Sequence, residues 1–509
     1  MKRNTMKKYY LFSIISLLLC FTSCNDWLNV NPQGQVEAED LYATTKGCNA
    51  ALGGVYYTFS GSNLYGRNLS YGIVDILAQY WDFSTNTSHR FYNVSAYDYK
   101  SSVAVSAFGN IWGDLYYVIA QCNAFIEYSS PHSGKISNYD LLLGEVHGLR
   151  ALAHLLLFEL YGPVIHTTAD LQKPAIAYRT EYNNVSRGFD SGEVVLRKAA
   201  EDLSRAAELL ANDPIRENGR RDDLNTSIID YEDVLNYRGA RMNYFCALGL
   251  LARLEMLRKN PDAAYTYAER VLTESEGVIS LIDKDNIMGS SASRINNYST
   301  EMLGSFYVND LYDMTYAFFD MEGKGTSSNS SLILSVNQLD IWLNGTYNRA
   351  PDGTGADNRF IYWFVKDGET GAYNFTKYHE AEERVNMQAA YNPEVSIMRI
   401  SEVYYIACES QIGKDNELAL QYLNQVRVTR NLPELEGPLD DETLLEYLVR
   451  EARKDFIGEG RMFAMYKRLF KDIYVRQGVT IEASDARFVI PIPDDEYEFT
   501  GIDKPTDNQ

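Results

Sequence analysis

The chain has 509 residues, 45% of them hydrophobic, and a formal net charge of -22. That is enough apolar material for a large core, and length alone suggests two to four domains. So acidic a surface argues against binding nucleic acid and against lying flat on anionic lipid, since both carry like charge.

A basic start (Lys2, Arg3, Lys7, Lys8) leads into an apolar run from Tyr9 to Phe21, then to Phe21-Thr22-Ser23-Cys24. This is the order of a secretory signal, residues 1–23, cleaved before a cysteine that takes a lipid. Small Ser23 suits that cleavage, whereas bulky Leu19 makes Cys20 a poor alternative. The apolar run is shorter than the ~20 residues a spanning helix needs. No later stretch reads as long and apolar enough to span, so the expectation is a soluble body anchored through Cys24.

Residues 24–40, with Pro32 and Gly34, read as a tether, and 41–509 as one domain of three parts. The first, 41–275, shows helical periodicity near 104–129, 138–161, 190–211, 234–259 and 261–274. Leu142, Val146, Leu149, Leu152, Ala153, Leu156 and Leu160 cover most of one helix's circumference, which predicts burial on all sides. Tyr161-Gly162-Pro163 ends that helix, and Pro261 opens another where its missing N–H costs nothing. Residues 237–257 with 262–273, and 401–412 with 416–430, form hairpins of about 34 residues, the tetratricopeptide period. Such pairs bury their faces only by stacking. The second part, 276–395, is rich in Gly, Ser, Asn, Asp and aromatics. Its strand-like runs are 331–336 and 360–365, among turns such as Asn344-Gly345 and Asp367-Gly368. A loop-rich insert this long usually binds something. The third part, 396–509, carries a helical stretch from about Asp441 to Phe470 and an extended arm at 487–493. The expected fold is therefore mostly α, a tetratricopeptide-like hairpin scaffold with a loop-rich face and a few short strands.

Catalytic signatures are mostly missing, although 69 acids leave room for a glycosidase carboxylate pair. His379-Glu380 continues to Glu383, so an HExxH zinc motif is incomplete, and no GxSxG, P-loop or GxGxxG occurs. Neither a CxxC nor a Cys/His pair at zinc spacing is present. Cys48, Cys122, Cys246 and Cys408 lie in helix-like apolar segments and read as buried free thiols. Asp352, Asp357 and Asn358 miss the EF-hand spacing for calcium. Glu451, Arg453, Glu459 and Arg461 read as structural ion pairs.

Several stretches occur in an order that resembles the SusD/RagB family of nutrient-binding lipoproteins. They are Cys24-Asn25-Asp26-Trp27-Leu28-Asn29-Val30-Asn31-Pro32, Leu149-Arg150-Ala151 through Tyr161-Gly162-Pro163, Met398-Arg399-Ile400-Ser401-Glu402, Leu423-Asn424-Gln425-Val426-Arg427, Arg450-Glu451-Ala452-Arg453 with Glu459-Gly460-Arg461, and Ile490-Pro491-Ile492-Pro493. The resemblance implies a non-enzymatic lid at the cell exterior. It would be anchored by lipid in the outer membrane and paired with a SusC-like TonB-dependent transporter. It would capture an oligosaccharide or polysaccharide. Two alternatives are peptide or glycopeptide capture on the same scaffold, and a periplasm-facing scaffold for protein contacts. Only Asp26 supplies an acid close behind Cys24.

Sugar capture needs aromatic faces for C–H patches and polar partners for hydroxyls. Two regions carry that mixture. Tyr80 and Trp81 precede Asn86, Arg90 and Tyr92, and the insert holds Tyr312, Tyr316 and Trp342. The ligand-stacking residues expected foremost are Trp81, Tyr92, Tyr312 and Trp342.

Overall fold

Side-chain oxygens of Ser, Thr, Asn and Asp open several of the helices. In a computed structural model, which describes residues 38–81, 83, 86–220, 233–283, 297–319, 357–366, 373–378, 393–476 and 478–500, Thr44 accepts from the Gly47 N–H at 3.0 Å to open α1 (Thr45–Phe59). α2 (Ser102–Ser129) and α3 (Tyr139–Tyr161) follow. Ser191 caps α4 (Gly192–Leu209) and Asn243 caps α5 (Tyr244–Leu257). Asn260 caps α6 (Pro261–Glu274), with Pro261 in its first turn as expected. α7 (Leu311–Phe318) lies within the insert. Beyond it come α8 (Ile400–Gln411), α9 (Asn416–Thr429), α10 (Asp441–Asp455) and α11 (Met462–Leu469). The capping oxygens satisfy N–H groups that a helix start leaves without partners.

Each long helix packs on the next, from α1 through α6, and α6 then packs directly on α8, followed by α9 and α10. The helical stack thus continues across the insert. The two expected hairpins are α5 with α6 and α8 with α9. α5 starts at Tyr244, later than periodicity alone suggests, because Tyr237 in a left-handed conformation and a short turn at Arg238–Ala240 precede it.

Helix α3 is long and apolar enough to cross a membrane, contrary to the expectation of no such stretch after residue 24, yet 89% of that window is buried inside the protein. Its buried polar residues are paired. Arg150 grips Asp202 of α4 through two bonds of 2.8 and 2.6 Å. Glu145 accepts from Arg241 at 3.0 Å and also pairs with Arg238 and the Tyr56 hydroxyl. The four cysteines read as free thiols are free and buried.

Antiparallel strands β1 (Met302–Tyr307) and β4 (Glu394–Arg399) close the neck of the insert, where Phe306 faces Val395. Inside it, β2 (Phe364–Lys366) pairs with β3 (Tyr373–Phe375). The strand expected at 360–365 begins only at Phe364. Asn358–Trp363 is helical, started by the Asp357 carboxylate accepting from the Arg359 N–H at 3.0 Å. The expected strand at 331–336 and the tether lie outside the described residues, except for the helix Ala38–Tyr42. The long C-terminal helix is split into α10 and α11 by Phe456–Arg461, where Gly458 and Gly460 take φ of +83° and +66°. β5 (Ile473–Arg476) and β6 (Val479–Ile481) form a small hairpin. The arm then begins with the helical turn Asp485–Phe488, and its Ile490 N–H donates to the Leu160 carbonyl at 3.1 Å.

Candidate binding face

The segment 71–92 is held from below by the C-terminal helices. Buried Asp75 accepts from the Gly458 and Gly460 N–H groups at 2.6 and 3.1 Å. Burial raises its carboxyl well above the usual range, against the opposing pull of those two N–H groups. Neither glycine can be replaced freely, because a Cβ on Gly460 would stand 2.0 Å from the Leu69 carbonyl oxygen. Arg453 of α10 donates to the Ala78 and Gln79 carbonyls at 2.8 and 2.9 Å and lies 4.5 Å from the Tyr80 ring centroid.

These anchors turn Tyr80 and Trp81 inward, which corrects their expected role as stacking platforms. Tyr80 is fully buried, and its hydroxyl donates to the Arg453 carbonyl at 2.6 Å. Trp81 is 2% exposed and packs between Phe319 (5.1 Å between ring centroids) and Phe375 (5.6 Å). Both are floor, with no face left for a sugar ring.

Above that floor the two sequence regions meet. Phe318 of α7 lies 5.7 Å from Tyr71 and 5.9 Å from Phe91. Tyr378 joins from the insert, 5.8 Å from Tyr71. Tyr92, Tyr312, Tyr316 and Phe318 are half-buried and Arg90 is exposed. Tyr312 and Tyr316 sit one turn apart on α7 with rings stacked at 5.6 Å and 26°. Arg90 lies 5.4 Å from the Phe91 ring. Asn86 is half-buried, and its side-chain oxygen accepts from the Ser88 N–H at 3.2 Å, so it shapes the turn. Trp342 and Cys24 lie outside the described residues.

A buried charge network fixes the insert to the scaffold. Arg399, at the end of β4, donates to Glu301 (2.7 Å), Asp455 (2.9 Å) and Glu459 (2.8 Å). Arg430 joins Glu301 to Asp455, and Arg359 joins Asp455 to Glu451. Lys377, next to Tyr378 of the aromatic cluster, pairs with Glu459. Burial alone would raise the Asp455 carboxyl, but Arg399, Arg430 and Arg359 hold it well below the usual range. Glu451 and Glu459 are therefore structural, as expected, while Arg453 uses backbone carbonyls and Arg461 grips Glu159 at 2.7 and 2.8 Å. Asp357 is spent on Arg359 and Lys454, which removes it from the considered calcium set. Among the described residues no group of three His, Cys, Asp or Glu is arranged to hold a metal.

Sequence reasoning missed Tyr71 and Phe318 in this cluster. Tyr71 sits in the turn-rich stretch 60–72, which has no periodicity to mark it.

Two family models match this chain. One, described as SusD family, covers residues 298–496, and another, described as starch-binding associating with outer membrane, covers 70–219. The chain belongs to the SusD family. Solved SusD structures share the fold. A SusD superfamily protein from Bacteroides thetaiotaomicron is 21% identical with a TM-score of 0.67, covering 90% of this chain and 98% of its own. A SusD-like carbohydrate binding protein from Bacteroides vulgatus is 16% identical with a TM-score of 0.63, covering 90% and 97%. A SusD superfamily protein from Bacteroides fragilis is 19% identical with a TM-score of 0.64, covering 91% and 99%. No curated protein matches the chain. The helical scaffold expected from periodicity is thus the SusD scaffold.

Proposed function

We propose that this SusD-family chain is a non-catalytic glycan-binding lipoprotein of the outer membrane, anchored at Cys24 and facing the exterior. It captures an oligosaccharide or polysaccharide and delivers it to a SusC-like TonB-dependent transporter. The observation that carries this reading is the meeting of segment 71–92 with α7 in one aromatic cluster. Phe318 is half-buried within that cluster, Tyr312 and Tyr316 are half-buried elsewhere on α7, and Tyr92 and exposed Arg90 flank Phe91 in sequence. Flat rings at an edge suit the C–H faces of sugars, and a guanidinium beside them suits their oxygens. The family model's starch-binding description and the carbohydrate-binding neighbour from Bacteroides vulgatus support the ligand class. Outer-membrane association is supported by that same family description.

The test is affinity electrophoresis of residues 25–509 on a panel of polysaccharides, beside Tyr312→Ala/Tyr316→Ala. Retardation by a glycan class, weakened in the double variant, is expected. Absence of retardation on every glycan would overturn glycan capture and leave peptides or a purely protein-facing lid. Retardation untouched by the double variant would move the site away from α7.

A further inference from the structure

Three arginine–glutamate pairs converge on one cavity, with no side chain among them more than 14% exposed. Arg253 of α5 gives Nε and Nη2 to the Glu402 carboxylate of α8 at 2.8 and 2.7 Å. Arg461, at the head of α11, gives Nη1 and Nη2 to Glu159 of α3 at 2.7 and 2.8 Å. Arg468 of α11 holds Glu409 of α8 in the same way, at 2.5 and 2.6 Å. All six residues line a cavity of about 40 Å³ where α3, α5, α8 and α11 meet.

These forks leave hydrogen-bonding capacity over. Each uses two of the three guanidinium nitrogens, and each carboxylate oxygen can take a second donor. Arg461 Nε is buried and has no partner among the described residues. Glu402 Oε1 stands 3.8 Å from it, too far for a direct bond. Of the other lining side chains only Tyr405 carries a strong polar group, and its buried hydroxyl also has no partner among the described residues. A buried N–H left unpaired is costly, so the space calls for a small hydrogen-bonding occupant. Three positive and three negative charges cancel, so an ion there would lose its hydration with no excess of opposite charge to hold it. Water is neutral, both donates and accepts, and needs only about 10–15 Å³ and a few polar partners.

We infer that this cavity is an internal hydration site for about three water molecules, one of them accepting from Arg461 Nε and donating to Glu402. Such a bridge ties the turn Phe456–Arg461 to α8 as well as to α3. That turn carries the Gly458 and Gly460 N–H groups that hold Asp75. The hydrated joint therefore steadies the support beneath segment 71–92, whatever ligand the binding face takes.

The test is a crystal structure of residues 25–509 at a resolution that shows ordered water. The crystals are grown in sodium bromide, whose anomalous signal tells bromide from water. The expected result is a water peak within hydrogen-bond distance of both Arg461 Nε and Glu402, with no anomalous peak in the cavity. A bromide there would overturn the neutral occupant. A cavity with no peak, or Arg461 Nε bonded directly to Glu402, would overturn the site. Ala464→Val, which narrows the cavity from α11, is expected to lose at least one of these waters and to melt no higher than the parent. A raised Tm would mean that the valine had filled a dry space, and would overturn the inference.

Discussion

Arg399→Met cuts the charge network at its most connected point. The side chain is fully buried and bonds three carboxylates, Glu301, Asp455 and Glu459, together with the Asp455 carbonyl at 2.9 Å. Methionine preserves length but returns no donor, so the cost is that of carboxylates stranded out of water. Removing one partner from a buried ion pair costs about 3–5 kcal/mol. Here the lower end applies, since Arg430 still serves Glu301 and Asp455, and Lys377 still serves Glu459. At about 2 cal/mol/K of unfolding entropy per residue, a chain this long loses about 1 °C of Tm per kcal/mol. The expected loss is therefore about 3 °C, measured by differential scanning calorimetry at pH 7. Arg197→Gln is the control, because its partner Glu201 is exposed one turn away and such pairs contribute about 0.3–0.5 kcal/mol. Arg399→Met also loosens the neck of the insert, so it should weaken glycan retention beyond the control. A melt that matches Arg197→Gln would refute the claim that this network holds the insert.

Other expectations follow from single sites. Gly460→Ala places a side chain where φ is +66° and the Leu69 carbonyl blocks it, so it should destabilise by about 2 kcal/mol or more, read as a shift in the urea midpoint. Cys48, Cys122 and Cys246 have thiols pushed up to about 11, 12 and 12 by burial, so a thiol reagent at pH 8 should label them only after denaturation. Burial pushes the Glu451 carboxyl up, but Lys454, Arg359 and Arg427 pull it further, down to about 2. Its folded value lies below the ordinary 4.5, so its contribution is whole above pH 4.5 and fades as pH falls from there to about 2. In Glu451→Gln the slope of stability against pH in that window should be shallower than in the parent, and equal slopes would contradict the assignment.

Helices were legible because burial writes itself into sequence at 3.6-residue intervals. Leu142 to Leu160 announced α3 as a buried helix, and Pro261 announced the start of α6. The two halves of the binding face were visible as aromatic and polar mixtures, at 80–92 and in the insert. Which rings face inward was not visible. Trp81 sits among polar neighbours in sequence, yet its packing partners are Phe319 and Phe375, hundreds of positions away. No local pattern encodes such a contact. The same holds for Glu301 with Arg430, whose pairing depends on β1 and α9 being brought together. Asn86 looked like a hydroxyl partner because residue type alone does not tell ligand contacts from turn caps.

Because α6 packs directly on α8, the insert between them is a detour that returns to its point of departure. The β1–β4 ladder seals that detour, so its ends stay together whatever its length. Doubling such a closed loop costs only about 0.6 kcal/mol of closure entropy. Recognition can therefore diverge by insertion and deletion in this one stretch while the helical stack keeps its path. A graft of another relative's segment between the same two strands should find its supports already in place.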